Sequence, residues 1–129
     1  MLNKDQLKKL LLEQNTTKTK DKIFSALGEK HNIKKISGNT YMVDQQTRVH
    51  YNSEKRAYHG FTYCNIFIER DWENDNESWS IIKRQQQLTY EIAEEIANII
   101  TGLGISISMG KTAGPIPSKW HGYSINFEV

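Results

Sequence analysis

Phe61-Thr62-Tyr63-Cys64-Asn65-Ile66-Phe67-Ile68 is apolar on both of its alternating faces, with Phe61, Tyr63 and Phe67 on one and Cys64, Ile66 and Ile68 on the other. That pattern predicts a strand in the middle of a sheet, covered on both sides. Upstream, Val49 and Tyr51 share one face of a strand while Arg48 and His50 face the other way, and Tyr41 and Val43 share a face of the strand before it. Ser37-Gly38-Asn39-Thr40 reads as a tight hairpin turn, with Gly38 where a positive φ is needed. Asp44 to Gln46 form a second polar turn.

Downstream, Leu88, Ile92, Ile96, Ile99 and Ile100 fall on one side of a helix whose other side carries Glu91, Glu94, Glu95 and Asn98, with Gly102 and Gly104 as its stop. Trp79 and Ile81 opposite Ile82 predict a strand ahead of that helix. Ile105, Ile107 and Met109 alternate with serines. His121, Tyr123, Ile125, Phe127 and Val129 alternate with small or polar residues, so both segments read as half-buried antiparallel strands.

At the other end, Asn3 is placed to cap a helix over about 4–14, with Gln6 three residues on and Leu7, Leu10 and Leu11 at helical spacing. A polar turn, Asn15-Thr16-Thr17-Lys18, then separates it from a second helix with Thr19 as cap, Ile23, Phe24 and Leu27 as its apolar stripe and Gly28 as its stop. The order predicts an α+β fold: two N-terminal helices, a mostly antiparallel sheet of about six to seven strands, and one long amphipathic helix packed on it.

The 129 residues suit one domain spanning 1–129, large enough to bury a core without disulfides or metal. A single cysteine, Cys64, rules out an intramolecular disulfide and a cysteine-based zinc site. Charges interleave with the leucines of the first helix and no apolar run reaches the ~20 residues that cross a bilayer, so neither a signal peptide nor a membrane partner is expected and the cytoplasm is the default compartment. The net charge of +2 conceals an uneven distribution: twelve Lys/Arg against six Asp/Glu in residues 1–60, but five against nine in 61–129. A basic first half suits a polyanion partner or a solvated lysine-rich helix surface.

Catalytic motifs are incomplete. Gly110-Lys111-Thr112 lacks the glycine that a phosphate loop needs five positions earlier, where Ile105 stands, and the prolines Pro115 and Pro117 follow instead of a helix. A flexible turn between strands is the better account. None of the thirteen lysines has Asp or Glu two places before it, so the metal-dependent nuclease motif is missing. Asp71, Glu73, Asp75 and Glu77 alternate acids but lack the Gly and Glu of a calcium loop, and read as a solvated hairpin tip. His50, His59 and His121, with Arg48, Lys55 and Arg56, supply general acid–base groups for a metal-independent nuclease, although nothing in their spacing shows that they converge. No cofactor is implied.

The richest composition lies between 48 and 63, where Arg48, His50, Lys55, Arg56 and His59 interleave with Tyr51, Tyr58 and Tyr63. Cations contact phosphates and exposed rings stack on unpaired bases, so these eight residues are the expected nucleic-acid contacts if the strand pair turns them outward together. The leading expectation is a small non-catalytic binding module, an accessory protein contacting nucleic acid or a nucleic-acid-handling protein. The rivals are the histidine nuclease and an inhibitor or adaptor that acts through protein contacts, as accessory proteins of mobile elements do.

Overall fold

The computed structural model describes residues 3–56, 60–70, 79–112 and 122–129, with positions 12, 55, 56, 79, 82, 111 and 112 as backbone only. Its elements run α1 (Lys4–Gly28), β1 (Lys34–Ser37), β2 (Thr40–Met42), β3 (Thr47–Arg56), β4 (Phe61–Arg70), α2 (Trp79–Gly102), β5 (Ile107–Thr112) and β6 (Gly122–Glu128). The six strands form one sheet in the order β1-β2-β3-β4-β6-β5, and each pairs antiparallel with its neighbours. The α+β class is therefore observed, and both helices lie on the same face of the sheet.

That face carries the core. Val49 and Tyr51 of β3, Cys64, Ile66 and Ile68 of β4, and Ile125 and Phe127 of β6 meet Ile23, Phe24 and Leu27 of α1 and Ala93, Ile96, Ala97 and Ile100 of α2. The pairings Val49↔Ile68, Tyr51↔Ile66, Ile66↔Ile125 and Cys64↔Phe127 put the strand residues in continuous rows, so a single register supplies one apolar floor for both helices. Burying an isoleucine such as Ile66 or Ile96 contributes about 1.5–3 kcal/mol. Tyr51 is tied in by its hydroxyl, which donates to the Cys64 sulfur at 3.4 Å. Burial pushes the Tyr51 hydroxyl well above its ordinary range and the Cys64 thiol above its own, so the pair stays neutral.

Several sequence expectations are corrected here. The two helical segments expected at the N-terminus are joined in one uninterrupted helix of 25 residues. Asn15-Thr16-Thr17-Lys18 contains weak helix formers but no glycine or proline, so nothing breaks the backbone ladder, and the Thr19 hydroxyl bonds back to the Asn15 carbonyl at 2.9 Å. The cap is as expected: Asn3 and Gln6 form a reciprocal capping box. Leu7, Leu10 and Leu11, however, stay 48%, 39% and 50% exposed. Trp79–Ile82 opens α2 instead of forming a strand. Gly38 does not carry a positive φ; among the described residues only Gly60 and Gly104 do. Gly110-Lys111-Thr112 is not a turn but the end of β5. The acidic segment 71–77 and the Pro115–Pro117 segment lie outside the described residues.

One polar cluster fixes where β2, β3, β4 and α2 meet. Asp44 accepts from the Gln46 and Thr47 amides, both at 2.8 Å, and Arg70 donates to Gln85 at 2.6 Å, Gln46 at 2.6 Å, Thr47 at 3.0 Å and Asp44 at 3.3 Å. The Arg70 side chain is only 12% exposed, so its charge depends on these partners.

Candidate binding face of the sheet

Strand alternation puts every second residue of β3, β4, β6 and β5 on the face that neither helix covers. The registers His50↔Phe67↔Ser124↔Gly110 and Asn52↔Asn65↔Asn126↔Ser108 run as rows across the four strands, flanked by Arg48↔Glu69 on one side and Glu54↔Tyr63↔Glu128 on the other. The expectation that β4 is covered on both sides is therefore half met. Cys64, Ile66 and Ile68 lie under the helices, whereas Phe61, Tyr63 and Phe67 occupy the open face, with Tyr63 37% exposed and both phenylalanines half-buried.

Local contacts hold this face flat. His50 is bonded through Nδ1 to the Thr40 hydroxyl at 3.0 Å and through Nε2 to a Glu69 carboxylate oxygen at 2.8 Å, and its ring stacks on Phe67 with centroids 5.9 Å apart. Arg48 approaches the same Glu69 oxygen at 3.9 Å. The Asn65 amide donates to the Asn126 carbonyl oxygen at 2.7 Å across the β4–β6 pair. Tyr63 stands between two shallow hollows, one of about 440 Å³ beside Ser106, Ser108, Asn126 and Glu128 and one of about 230 Å³ beside Asn52, Glu54 and Asn65.

The expected site is thus partly assembled and partly overturned. Arg48, His50 and Tyr63 do share the open face. Tyr51 does not: it points to the helices, is 2% exposed and packs edge-on against Phe24 and Phe127, so it offers no stacking surface. Tyr58, His59 and His121 lie outside the described residues, as do the side chains of Lys55 and Arg56. The convergence of His50 with His59 and His121 is accordingly not on view. What His50 does meet is a hydroxyl and a carboxylate in series, an order that orients an imidazole, while the two hollows just described are lined by Tyr63 and not by His50.

The described side chains carry only part of the charge expected of this face, since Arg56, which the register places in its outer row, is described as backbone alone. Among the described outward side chains of β3, β4, β6 and β5, Arg48 is the cation and Glu54, Glu69 and Glu128 are the carboxylates. The middle of the face is amide, hydroxyl and aromatic. Phe67, Asn65, Asn126 and Ser108 belong to it and were not singled out from the sequence; their common signal is the alternation of β4, β5 and β6 read together. Among the described residues no group of three or more His, Cys, Asp or Glu side chains is arranged to hold a metal ion. No helix is long and apolar enough to cross a membrane among these residues. No protein-family model, curated protein or solved structure matches the chain.

Proposed function

We propose that this chain is a small non-catalytic binding module that receives a protein partner on the open face of β3, β4, β6 and β5. The observation that carries the reading is the outward side of β4, where Phe61, Tyr63 and Phe67 give a central strand a second apolar face that no layer of the described chain covers. Solvated faces of antiparallel sheets ordinarily carry charged and polar side chains. This one instead combines an exposed tyrosine with Asn52, Asn65, Asn126, Ser108 and Ser124, the mixture of rigid ring and adaptable hydrogen-bonding groups that protein-binding surfaces use. A protein suits it better than a nucleic acid, because its described carboxylates outnumber its cation and would repel a phosphate backbone. Binding is favoured over catalysis because the hollows described on this face open beside Tyr63 and are not lined by His50.

The test is a photo-crosslinking amino acid placed at Tyr63 and, as a control, at exposed Glu91 on the helical side, in cells that carry the chain naturally. A discrete protein adduct at position 63, absent at 91, resistant to nuclease and lost when Asn65→Arg is added, is the expected result. Identical adducts from both positions, or adducts that disappear on nuclease treatment, would reject a protein partner at this face.

A further inference from the structure

The positive charge of the molecule lies elsewhere. Residues 3–35, which comprise α1 and the start of β1, hold nine lysines against four carboxylates. Lys20 is spoken for: its ammonium donates to the Gly38 carbonyl at 2.8 Å and the Asn39 side chain at 3.2 Å and lies over the Tyr41 and Tyr51 rings, pinning the β1–β2 hairpin to α1. Four others form a line. At about 100° per residue, Lys4 and Lys22 coincide in direction after five turns, while Lys8 and Lys18 fall about 40° to either side, so the four occupy a sector about 80° wide. All four are exposed. Asp5, Glu13 and Asp21, the carboxylates inside the helix, point about 100° or more away from the centre of that sector.

We infer that this ridge binds the phosphate backbone of a nucleic acid. The ridge exists only because the expected break at Asn15–Lys18 is absent: a turn there would separate Lys4 and Lys8 from Lys18 and Lys22, whereas the continuous helix sets them along about 27 Å. That length spans several successive phosphates of one strand. The sector also avoids the side of α1 that packs on the sheet through Ile23, Phe24 and Leu27, so contact requires no unfolding. An anionic membrane is the competing polyanion, since Leu11 falls inside the sector, with Leu7 beside it and Leu10 farther round. Those leucines are confined to the first third of the helix, and farther along the same side stand Gln14, Asp21 and Ser25, which do not insert into lipid. The inference does not depend on the protein partner proposed for the open sheet face, which lies on the other side of the sheet.

The experiment is anisotropy of a labelled 20-base-pair duplex, a single-stranded DNA and a single-stranded RNA titrated with the full chain between 50 and 200 mM salt. Light scattering from phosphatidylcholine vesicles with a quarter phosphatidylglycerol runs in parallel. Four phosphate contacts give a slope of log K against log salt of about −3.6 on duplex and about −2.8 on a single strand, or losses of about 150-fold and about 50-fold over that range. Reversing the ridge with Lys4→Glu, Lys8→Glu, Lys18→Glu and Lys22→Glu together should weaken binding at 50 mM salt at least about 100-fold. Reversing Lys34 and Lys35 on β1 should weaken it less than about tenfold. Matching circular dichroism and thermal melts establish that the variants fold. Absence of binding at 50 mM salt, equal loss from both sets of reversals, or binding to the vesicles alone would overturn the inference.

Discussion

Ile66 and Phe67 are neighbours on β4, similar in hydrophobicity, yet one is fully buried beneath two helices and the other is half-buried on a face over which the described residues place no second layer. The difference teaches that an apolar side chain in a central strand has two uses. Facing the helices it holds the fold together; facing away it contributes less to the fold and keeps part of its surface in reach of something outside it. The same contrast is repeated along α1. Its residues 19–27 supply Ile23, Phe24 and Leu27 to the core, while residues 3–18 are exposed apart from half-buried Thr16 and backbone-only position 12.

The contrast is sharpest in stability. Ile66→Ala should lower the unfolding free energy by about 2–4 kcal/mol, since it opens a cavity between β4 and the helices. Phe67→Ala should cost about 1 kcal/mol, because it removes one ring stacked on His50 and leaves no enclosed void. Urea midpoints at constant slope measure both, and equal costs would break the distinction between the faces.

Arg70→Ala should rank between these two, at about 1–2 kcal/mol, because it removes charge-assisted hydrogen bonds to half-buried Gln85 and to Gln46 and Asp44, which water can then reach. The same cluster sets an acid dependence. Partial burial alone would raise the Asp44 carboxyl, but hydrogen bonds from the Gln46 and Thr47 amides and the Thr47 hydroxyl, with the Arg70 charge, outweigh it and hold the group below its ordinary 3.8. A carboxyl lowered in the folded state adds stability above its unfolded pKa, and that contribution is lost as pH falls from about 4 through the folded value. Thermal melts between pH 5 and pH 2 should therefore drop less steeply for Asp44→Asn than for the natural chain; parallel curves would show that Asp44 contributes no such linkage.

Tyr63→Ala should have the smallest effect on folding, within about 0.5 kcal/mol, because the ring is exposed on the open face. Its effect on the nuclease-resistant protein adduct, read from a crosslinking residue moved to exposed Asn52 on the same face, should be the largest of all. A Tyr63→Ala chain that loses stability but keeps that adduct would invert the roles assigned to the two sides of β4.

Much of the fold was legible because alternation and helical spacing report which residues share a face. The strand pair around Arg48 to Ile68, the C-terminal strand and the amphipathic helix over 88–100 all follow from it. What such patterns do not report is whose atoms cover a face. Leu7, Leu10 and Leu11 read as core because they form a stripe, and Phe61, Tyr63 and Phe67 read as covered because they alternate; in both cases the cover is absent from the described chain. Tyr51 shows the reverse error, an aromatic taken for a contact residue that the β3 register turns inward against Phe24 and Phe127. Two further misreadings, the break at 15–18 and the strand at 79–82, arise from weak local propensities overridden by helix continuity.

The difference between the two faces is tested most directly by nitrating the native chain with tetranitromethane and following Tyr51 and Tyr63 separately by mass spectrometry. Tyr63 should react while Tyr51 stays protected until the chain unfolds, since burial both hides its ring and keeps its hydroxyl protonated. Nitration of Tyr51 as fast as Tyr63, or protection of Tyr63 in the isolated chain, would contradict the assignment of one face to the fold and the other to a partner.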